Sequence, residues 1–173
     1  GSAGKRPGAL TGPLAKAYVV NLLWVTEQQL EWAVGALAEQ QRIIAEGAGA
    51  AGIAALYGYR QKFAGKKVGV VICGGNIDMR LLGTVLNRNM MSDGRLVRLR
   101  IDISDEPGML ASISAAIGDS GGNIVEIYHQ RMFYDVPAKL AKIDAVVDTR
   151  GQAHVEEIIA ALMARNFSVS IID

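Results

Sequence analysis

Three short clusters combine residue types and spacings that could do chemistry. The first, Cys73-Gly74-Gly75-Asn76, follows the run Val68-Gly69-Val70-Val71-Ile72 and precedes a helical pattern at Ile77, Leu81, Leu82, Val85 and Leu86. Glycines after a strand let the backbone approach a ligand closely, and the next helix start offers N–H groups to an anion. A plain strand-to-helix turn would carry the same residues. The second cluster, Glu46-Gly47-Ala48-Gly49-Ala50, brings a carboxylate to the start of a small-residue helix. Such a carboxylate needs a partner if buried and favours the helix macrodipole if solvated. The third, Asp105-Glu106-Pro107-Gly108-Met109-Leu110, lies between a strand and a helix. Pro107 suits a first helical turn, and Asp105 or Ser104 can cap it. The free N–H groups of Gly108, Met109 and Leu110 suit an amino-acid carboxylate. Asn123 and Ile124 open the next strand. Asn123 can both donate and accept, Asp105 can meet an ammonium group, and Met109 with Ile124 offers an apolar wall. An ordinary helix cap is the competing reading.

Other chemistries lack a matching pattern. His129 and His154, the two histidines, have no cysteine or carboxylate at ligand spacing, which argues against a metal. Ser112 and Ser114 have no base near them in sequence, so a serine nucleophile has no support. Arg95, Arg98 and Arg100 are flanked by Asp93 and Asp102, and the net charge is only +1. They read as a solvated strand face, and no nucleic-acid partner is expected. Cys73 is the sole cysteine, so no intramolecular disulfide can form, in keeping with a reducing, cytoplasmic setting. No apolar run spans a bilayer, and no membrane partner is expected. Residues 1–4 lack the apolar core of a signal peptide. Gly1-Ser2 reads as a cloning scar, which would put the natural start upstream.

The elements that must position these clusters divide near Ser92-Asp93-Gly94 into residues 1–93 and 94–173. In the first region Thr26 and Gln29 have capping-box spacing, and Leu30, Ala33, Val34, Leu37 and Ala38 form a helical stripe. Residues 49–59 read as a buried helix of small residues. Residues 68–72 read as a buried parallel strand, with residues 22–25 a candidate second. A strand buried on both faces needs parallel neighbours, which this chain does not supply, so the region reads as part of a larger α/β domain. The second region is more regular. Val97, Leu99, Ile101 and Ile103 alternate with charged residues, giving a strand with one wet face. A helix at Leu110, Ile113 and Ile117 follows, then a strand over 124–133 and a turn at Tyr134-Asp135-Val136-Pro137. A third strand spans Ala141 to Val147, a helix with capping-box spacing at Thr149 and Gln152 comes next, and a last strand holds Phe167, Val169 and Ile171. The order βαββαβ predicts a four-stranded antiparallel sheet with both helices on one face, the ferredoxin-like arrangement.

Taken in order, the motifs around Lys5-Arg6-Pro7-Gly8, Val25-Thr26-Glu27, Glu46 to Ala50, Cys73 to Asp78, Gly94-Arg95, Asp105 to Gly108, Gly121-Gly122-Asn123-Ile124, His129-Gln130-Arg131 and Thr149 to His154 form a specific set. The chain resembles the C-terminal part of threonine ammonia-lyases that end in a single ACT domain. The resemblance implies an α/β fold class: a truncated part of a pyridoxal-phosphate-dependent catalytic domain of fold type II, like the tryptophan synthase β subunit, followed by a regulatory ACT domain. It implies a parent that converts L-threonine to 2-oxobutanoate and ammonia. Cys73 would stand at the cofactor's pyridine nitrogen, a weaker partner than the hydroxyl usual there, with Gly74 and Gly75 beside it and Glu46 near the ring. The family's Schiff-base lysine and phosphate loop lie in segments this chain does not contain. Lys5, Lys16, Lys62, Lys66 and Lys67 lack the required context. The fragment is therefore expected to hold no catalytic residue, to bind no pyridoxal phosphate and to be inactive. The effector would be an amino acid, isoleucine or valine first, bound by Asp105, Gly108, Met109, Leu110, Asn123 and Ile124, in a homo-oligomer formed through the ACT domain. The alternatives are a non-enzymatic amino-acid-binding ACT protein, and a parent acting as a serine dehydratase or racemase.

Overall fold

The structure, a computed structural model, describes residues 8–130 and 140–172. The predicted turn at residues 134–137, the end of the strand predicted over 124–133 and the motif residues Lys5, Arg6, Pro7 and Arg131 lie outside the described residues. The chain divides into two compact units, Gly1–Asn89 and Met90–Asp173.

The first unit is helical: α1 (Thr11–Tyr18), α2 (Glu27–Ala36), α3 (Gly47–Gly58), the single turn α4 (Arg60–Phe63) and α5 (Met79–Ser92), whose last residues belong to the second unit. The capping box predicted at α2 is formed. Thr26 Oγ1 accepts from Gln29 N at 3.2 Å, and Gln29 Oε1 accepts from Thr26 N at 2.9 Å. The helix then continues through a π turn, Leu37–Gln41. Its stripe of Ala33, Val34 and Leu37 packs with Ala45, Ala50 and Ala54 and with Leu82 and Val85 of α5. Trp32 stacks on Tyr57 with ring centroids 3.9 Å apart, fastening α2 to α3.

Three expectations for this unit are corrected. Residues 68–72 and 22–25 form no strand. A strand exists only as hydrogen bonds to a neighbour, and among the described residues of this unit no strand stands beside them; Val71 and Trp24 are each 85% exposed. Helix α3 is buried along one side only, at Gly49, Ala50 and Ala54, rather than all round.

The second unit has the predicted order: β1 (Leu96–Ser104), α6 (Met109–Asp119), β2 (Asn123–Gln130), β3 (Leu140–Asp148), α7 (Gln152–Met163) and β4 (Ser168–Ile171). The strands form one antiparallel sheet in the order β2-β3-β1-β4. Leu99, Ile101, Ile143, Ala145 and Val147 face Ile113, Ile117, Val155, Ile158 and Leu162 of the two helices, and all are fully or almost fully buried. Burying side chains of this size contributes roughly 1.5–3 kcal/mol each, so this two-layer contact is the main stabilising force of the unit. The pairing of β2 with β3 shifts between Ile124 and Glu126. This bulge lets Ile124 and Ile127, three residues apart, both pack on the core.

The other face of the sheet is not the solvated arginine face expected. Asp144 is fully buried there, although it alternates with core residues. Arg100 donates to it through Nε and Nη2, both at 2.8 Å, and Arg98 through Nη2 at 3.1 Å. Arg98 also lies over the Tyr128 ring, 5.8 Å from its centroid. The hydrogen bonds from Arg100, and then the charges of both arginines, outweigh desolvation and hold the Asp144 carboxyl below the usual carboxylate range.

Asp144→Asn is expected to destabilise this unit by about 2 kcal/mol at neutral pH, since charge-assisted hydrogen bonds are lost and two guanidinium groups are left facing each other. A carboxylate whose folded-state pKa is depressed stabilises fully above its unfolded value, and that stabilisation fades as pH falls through the folded value. Denaturant titrations should therefore show the gap between the two proteins closing as the pH drops below the usual carboxylate range. A gap that persists unchanged in strong acid would contradict this account.

Candidate functional site

In the first unit the two predicted cofactor-side clusters meet. Glu46 is the extended residue just before α3. Its backbone N–H donates to Gly74 O at 2.8 Å, and its carbonyl accepts from Ala50 N at 3.0 Å. Gly74 has a φ of +75°, a conformation that costs glycine nothing, and a Cβ there would lie 2.7 Å from Glu46 Oε1. The start of α3 approaches even more closely: a Cβ on Gly49 would lie 1.6 Å from Cys73 O. Glu46, Gly49, Cys73 and Gly74 thus form one backbone-lined corner, with the Cys73 side chain exposed. Asp78 Oδ1 accepts from Leu81 N at 3.0 Å and so caps α5. That carboxylate disfavours an anion at the helix start following the Gly74-Gly75 turn, where one was anticipated.

In the second unit, Pro107 stands before the helix, not within its first turn, and the residue at the N-cap position is neither Asp105 nor Ser104. The N-cap is Gly108, with φ of +90° and no side-chain cap bond. The first N–H groups of α6, those of Met109 and Leu110 with the N-cap Gly108, precede the first intrahelical bond, Ser112 N to Gly108 O at 3.0 Å. Beside this turn a groove of about 420 Å³ is lined by Asp102, Ser104, Met109, Ser112, Phe167 and Ser168, among others.

The six predicted effector residues do not converge within one chain. Asp105, Gly108, Met109 and Leu110 gather at the start of α6. Asn123 and Ile124 lie beyond its other end, about 16 Å away for an 11-residue helix. The strand register agrees. Asn123 and Leu96 both pair with Asp148 at one end of the sheet, whereas Ser104 pairs with Leu140 at the other. A site made of all six within a single chain, as the sequence suggested, is not what the fold builds.

Two further groups were not singled out as functional. His154, in the first turn of α7, is 4% exposed. Its Nε2 lies 2.8 Å from Ser120 O, and its Nδ1 accepts from Arg150 N at 3.1 Å. An N–H on one side and a carbonyl on the other suit the tautomer that carries its proton on Nε2. Thr149, expected to form a capping box with Gln152, instead donates from Oγ1 to Gly94 O and accepts from Gly151 N. The contacts to Gly94 O and Ser120 O span 55 and 34 residues of sequence, which local spacing does not reveal. Among the described residues no three His, Cys, Asp or Glu side chains group as metal ligands, and no helix is long and apolar enough to cross a membrane.

Residues 97–166 of this ferredoxin-like unit match the family model described as ACT domain, so the chain carries an ACT domain. The chain as a whole aligns with the C-terminal region of threonine ammonia-lyases. It is 37% identical over 172 residues to the L-threonine ammonia-lyase of Thermotoga maritima and 32% identical over 172 residues to that of Geobacter sulfurreducens. Each alignment covers 99% of this chain and 43% of the relative, so the chain spans less than half the length of these relatives. Among solved structures it is similar to an ACT domain protein from Streptococcus pneumoniae, at 21% identity and a TM-score of 0.35, over 44% of this chain and 86% of that one.

The corner at Cys73 makes a steric prediction. Gly49→Ala should displace the turn at residues 73–75 and destabilise the first unit by about 1–3 kcal/mol. Gly47→Ala, where nothing lies within 4 Å of the added carbon, should be tolerated. Thermal unfolding, with the rate at which a thiol reagent labels Cys73, reads both effects; equal behaviour of the two variants would exclude the close approach.

Proposed function

We propose that this chain is the regulatory end of a pyridoxal-phosphate-dependent ammonia-lyase acting on L-threonine in isoleucine biosynthesis. Its ACT domain binds an amino-acid effector between two copies of the chain. The observation that carries the reading is the division of the effector residues between the two ends of α6. Strand β2 is an edge of the sheet, and α6 lies against it. Two β2 edges paired antiparallel about a two-fold axis would bring Asn123 of one copy beside the Gln130 end of the other, where β1 gives way to α6. The N–H groups of Gly108, Met109 and Leu110 then receive the effector carboxylate, Asp105 attracts its ammonium group, and Asn123 and Ile124 of the second copy close the site. The half-exposed Val125 on the same edge favours such pairing. Isoleucine and valine suit the apolar wall of Met109 and Ile124.

For the parent enzyme, Glu46, Cys73, Gly74 and Gly75 fit one wall of a cofactor site. The Glu46 carboxylate stands beside Gly74, and the Cys73 thiol can hydrogen-bond weakly to the ring nitrogen. When bound, pyridoxal phosphate supplies the electron sink for chemistry at the amino-acid α-carbon. The lysine and phosphate loop that anchor it are not among these residues, so the 173-residue chain by itself does not deaminate threonine. An exposed, unpaired Cys73 suits the cytoplasm.

Two measurements test these proposals. Isothermal titration with L-isoleucine and L-valine should give binding that Asp105→Ala and Asn123→Ala each weaken by about tenfold or more, a loss of about 1.4 kcal/mol. An equimolar mixture of the two variants should recover part of the high-affinity sites, because each mixed dimer holds one intact pair; no recovery after subunit exchange would exclude the shared site. Separately, pyridoxal phosphate followed by borohydride should label no single lysine specifically, and threonine should not be consumed. A uniquely labelled lysine together with turnover would refute the proposed inactivity.

A further inference from the structure

The buried His154 and the half-buried contacts of Thr149 belong to neither proposed site, yet they join two places that matter. At one end, His154 Nε2 donates to Ser120 O at 2.8 Å, in the turn that leads into Asn123. In the same turn Gly121 has φ of +84°, and a Cβ there would lie 3.1 Å from Arg150 Nη1 and 3.8 Å from His154 Nε2. In the middle, Arg150 N donates to His154 Nδ1 at 3.1 Å, so the ring holds the β3–α7 loop and the α6–β2 turn together. At the other end, Thr149 N donates to Arg95 O at 2.9 Å and Thr149 Oγ1 donates to Gly94 O. A Cβ on Gly94, whose φ is +68°, would lie 2.9 Å from Gln152 N. Gly94 and Arg95 are themselves bonded back to the end of α5, Gly94 N to Met91 O at 3.0 Å and Arg95 N to Met90 O at 2.8 Å. The connection from α5 to β1 is the covalent route by which the chain passes from the first unit to the ACT domain.

We propose that Thr149 and His154 are positioning residues forming a relay that couples the Gly121-Gly122-Asn123 turn to the Gly94-Arg95 connection. Every contact along it is a directional hydrogen bond or a close backbone approach made possible by glycine, so it has little slack. A shift of the β3–α7 loop that relieves Gly94 must move the imidazole, and the imidazole cannot move without loosening either Ser120 O or Arg150 N. The physiological input, an effector at Asn123, rests on the function proposed above; the mechanical coupling does not.

The test perturbs one end and reads the other by amide hydrogen exchange on the intact chain, without ligand. Gly94→Ala should speed exchange of the Gly121 and Gly122 amides, which donate to Gly118 O and Ile117 O, by about tenfold. The amides of Leu99, Ile101 and Ile143 at the sheet centre should change little. The transmitted effect should vanish when Gly94→Ala is combined with Thr149→Val or with His154→Leu. Thr149→Val keeps the side-chain shape, so the test stands even where His154→Leu fails to fold. Unchanged exchange at Gly121 and Gly122, uniform acceleration through the sheet, or the same acceleration in all backgrounds would each overturn the relay. Titration of the same proteins with L-isoleucine reads the effector separately: no binding alongside intact transmission rejects the effector site and leaves the relay standing.

Discussion

With β3 held in place, a slip of β1 by one residue would turn Arg98 and Arg100 into the core and expel Leu99 and Ile101. Everything else in the ACT domain follows from the register that prevents this. The apolar face binds both helices, which makes the unit two layers thick. The polar face closes over Asp144, whose burial two guanidinium groups make tolerable. Because nine consecutive pairs lock β1 to β3, the loops at the two ends of the sheet cannot trade places. Asn123 is held at one end and the β1–α6 turn at the other, and this is why a single chain cannot bring the predicted effector residues together.

What the sequence discloses follows from where each interaction is made. The capping box at Thr26 and Gln29 is legible because both partners lie within one turn. The same spacing at Thr149 and Gln152 misleads, since the Thr149 hydroxyl finds a partner 55 residues away at Gly94. Alternation exposes the core faces of β1 and β3, yet it cannot mark Asp144 as buried, because the arginines covering it come from a neighbouring strand. In β2 the bulge at residues 124–126 breaks the alternation, so Ile124 and Ile127 face the core without a period-two signal. The residues proposed for the effector are legible as chemistry but not as geometry, since spacing does not show that they stand at opposite ends of the sheet.

The first unit shows the opposite relation. Its apolar run at residues 68–72 has strand composition and no strand. β-propensity describes how side chains fit a pleated, half-buried surface, and without a neighbouring strand that surface does not exist. The glycines nearby remain informative because their constraint is steric and local. Gly49 must lack a side chain for α3 to approach Cys73 O, and Gly74 must reach positive φ beside Glu46. The corner therefore keeps its shape although the adjoining run forms no strand.

A ligand site shared between two β2 edges has a thermodynamic consequence that a site within one chain lacks. A ligand bound only by the paired form stabilises pairing by RT ln(1 + [L]/Kd) for each site, so its concentration is read as the stability of the dimer. Linkage is reciprocal: whatever else favours pairing raises effector affinity by the same factor. The Gly121-Gly122-Asn123 turn stands where that factor is set. It opens the strand that would pair, it carries the residue that would close the neighbour's site, and it is hydrogen-bonded through His154 to the loop that holds Gly94. In the proposed dimer, assembly, effector and the connection to the first unit would converge on one short turn, which is hydrogen-bonded to a buried imidazole whose two nitrogens are both committed.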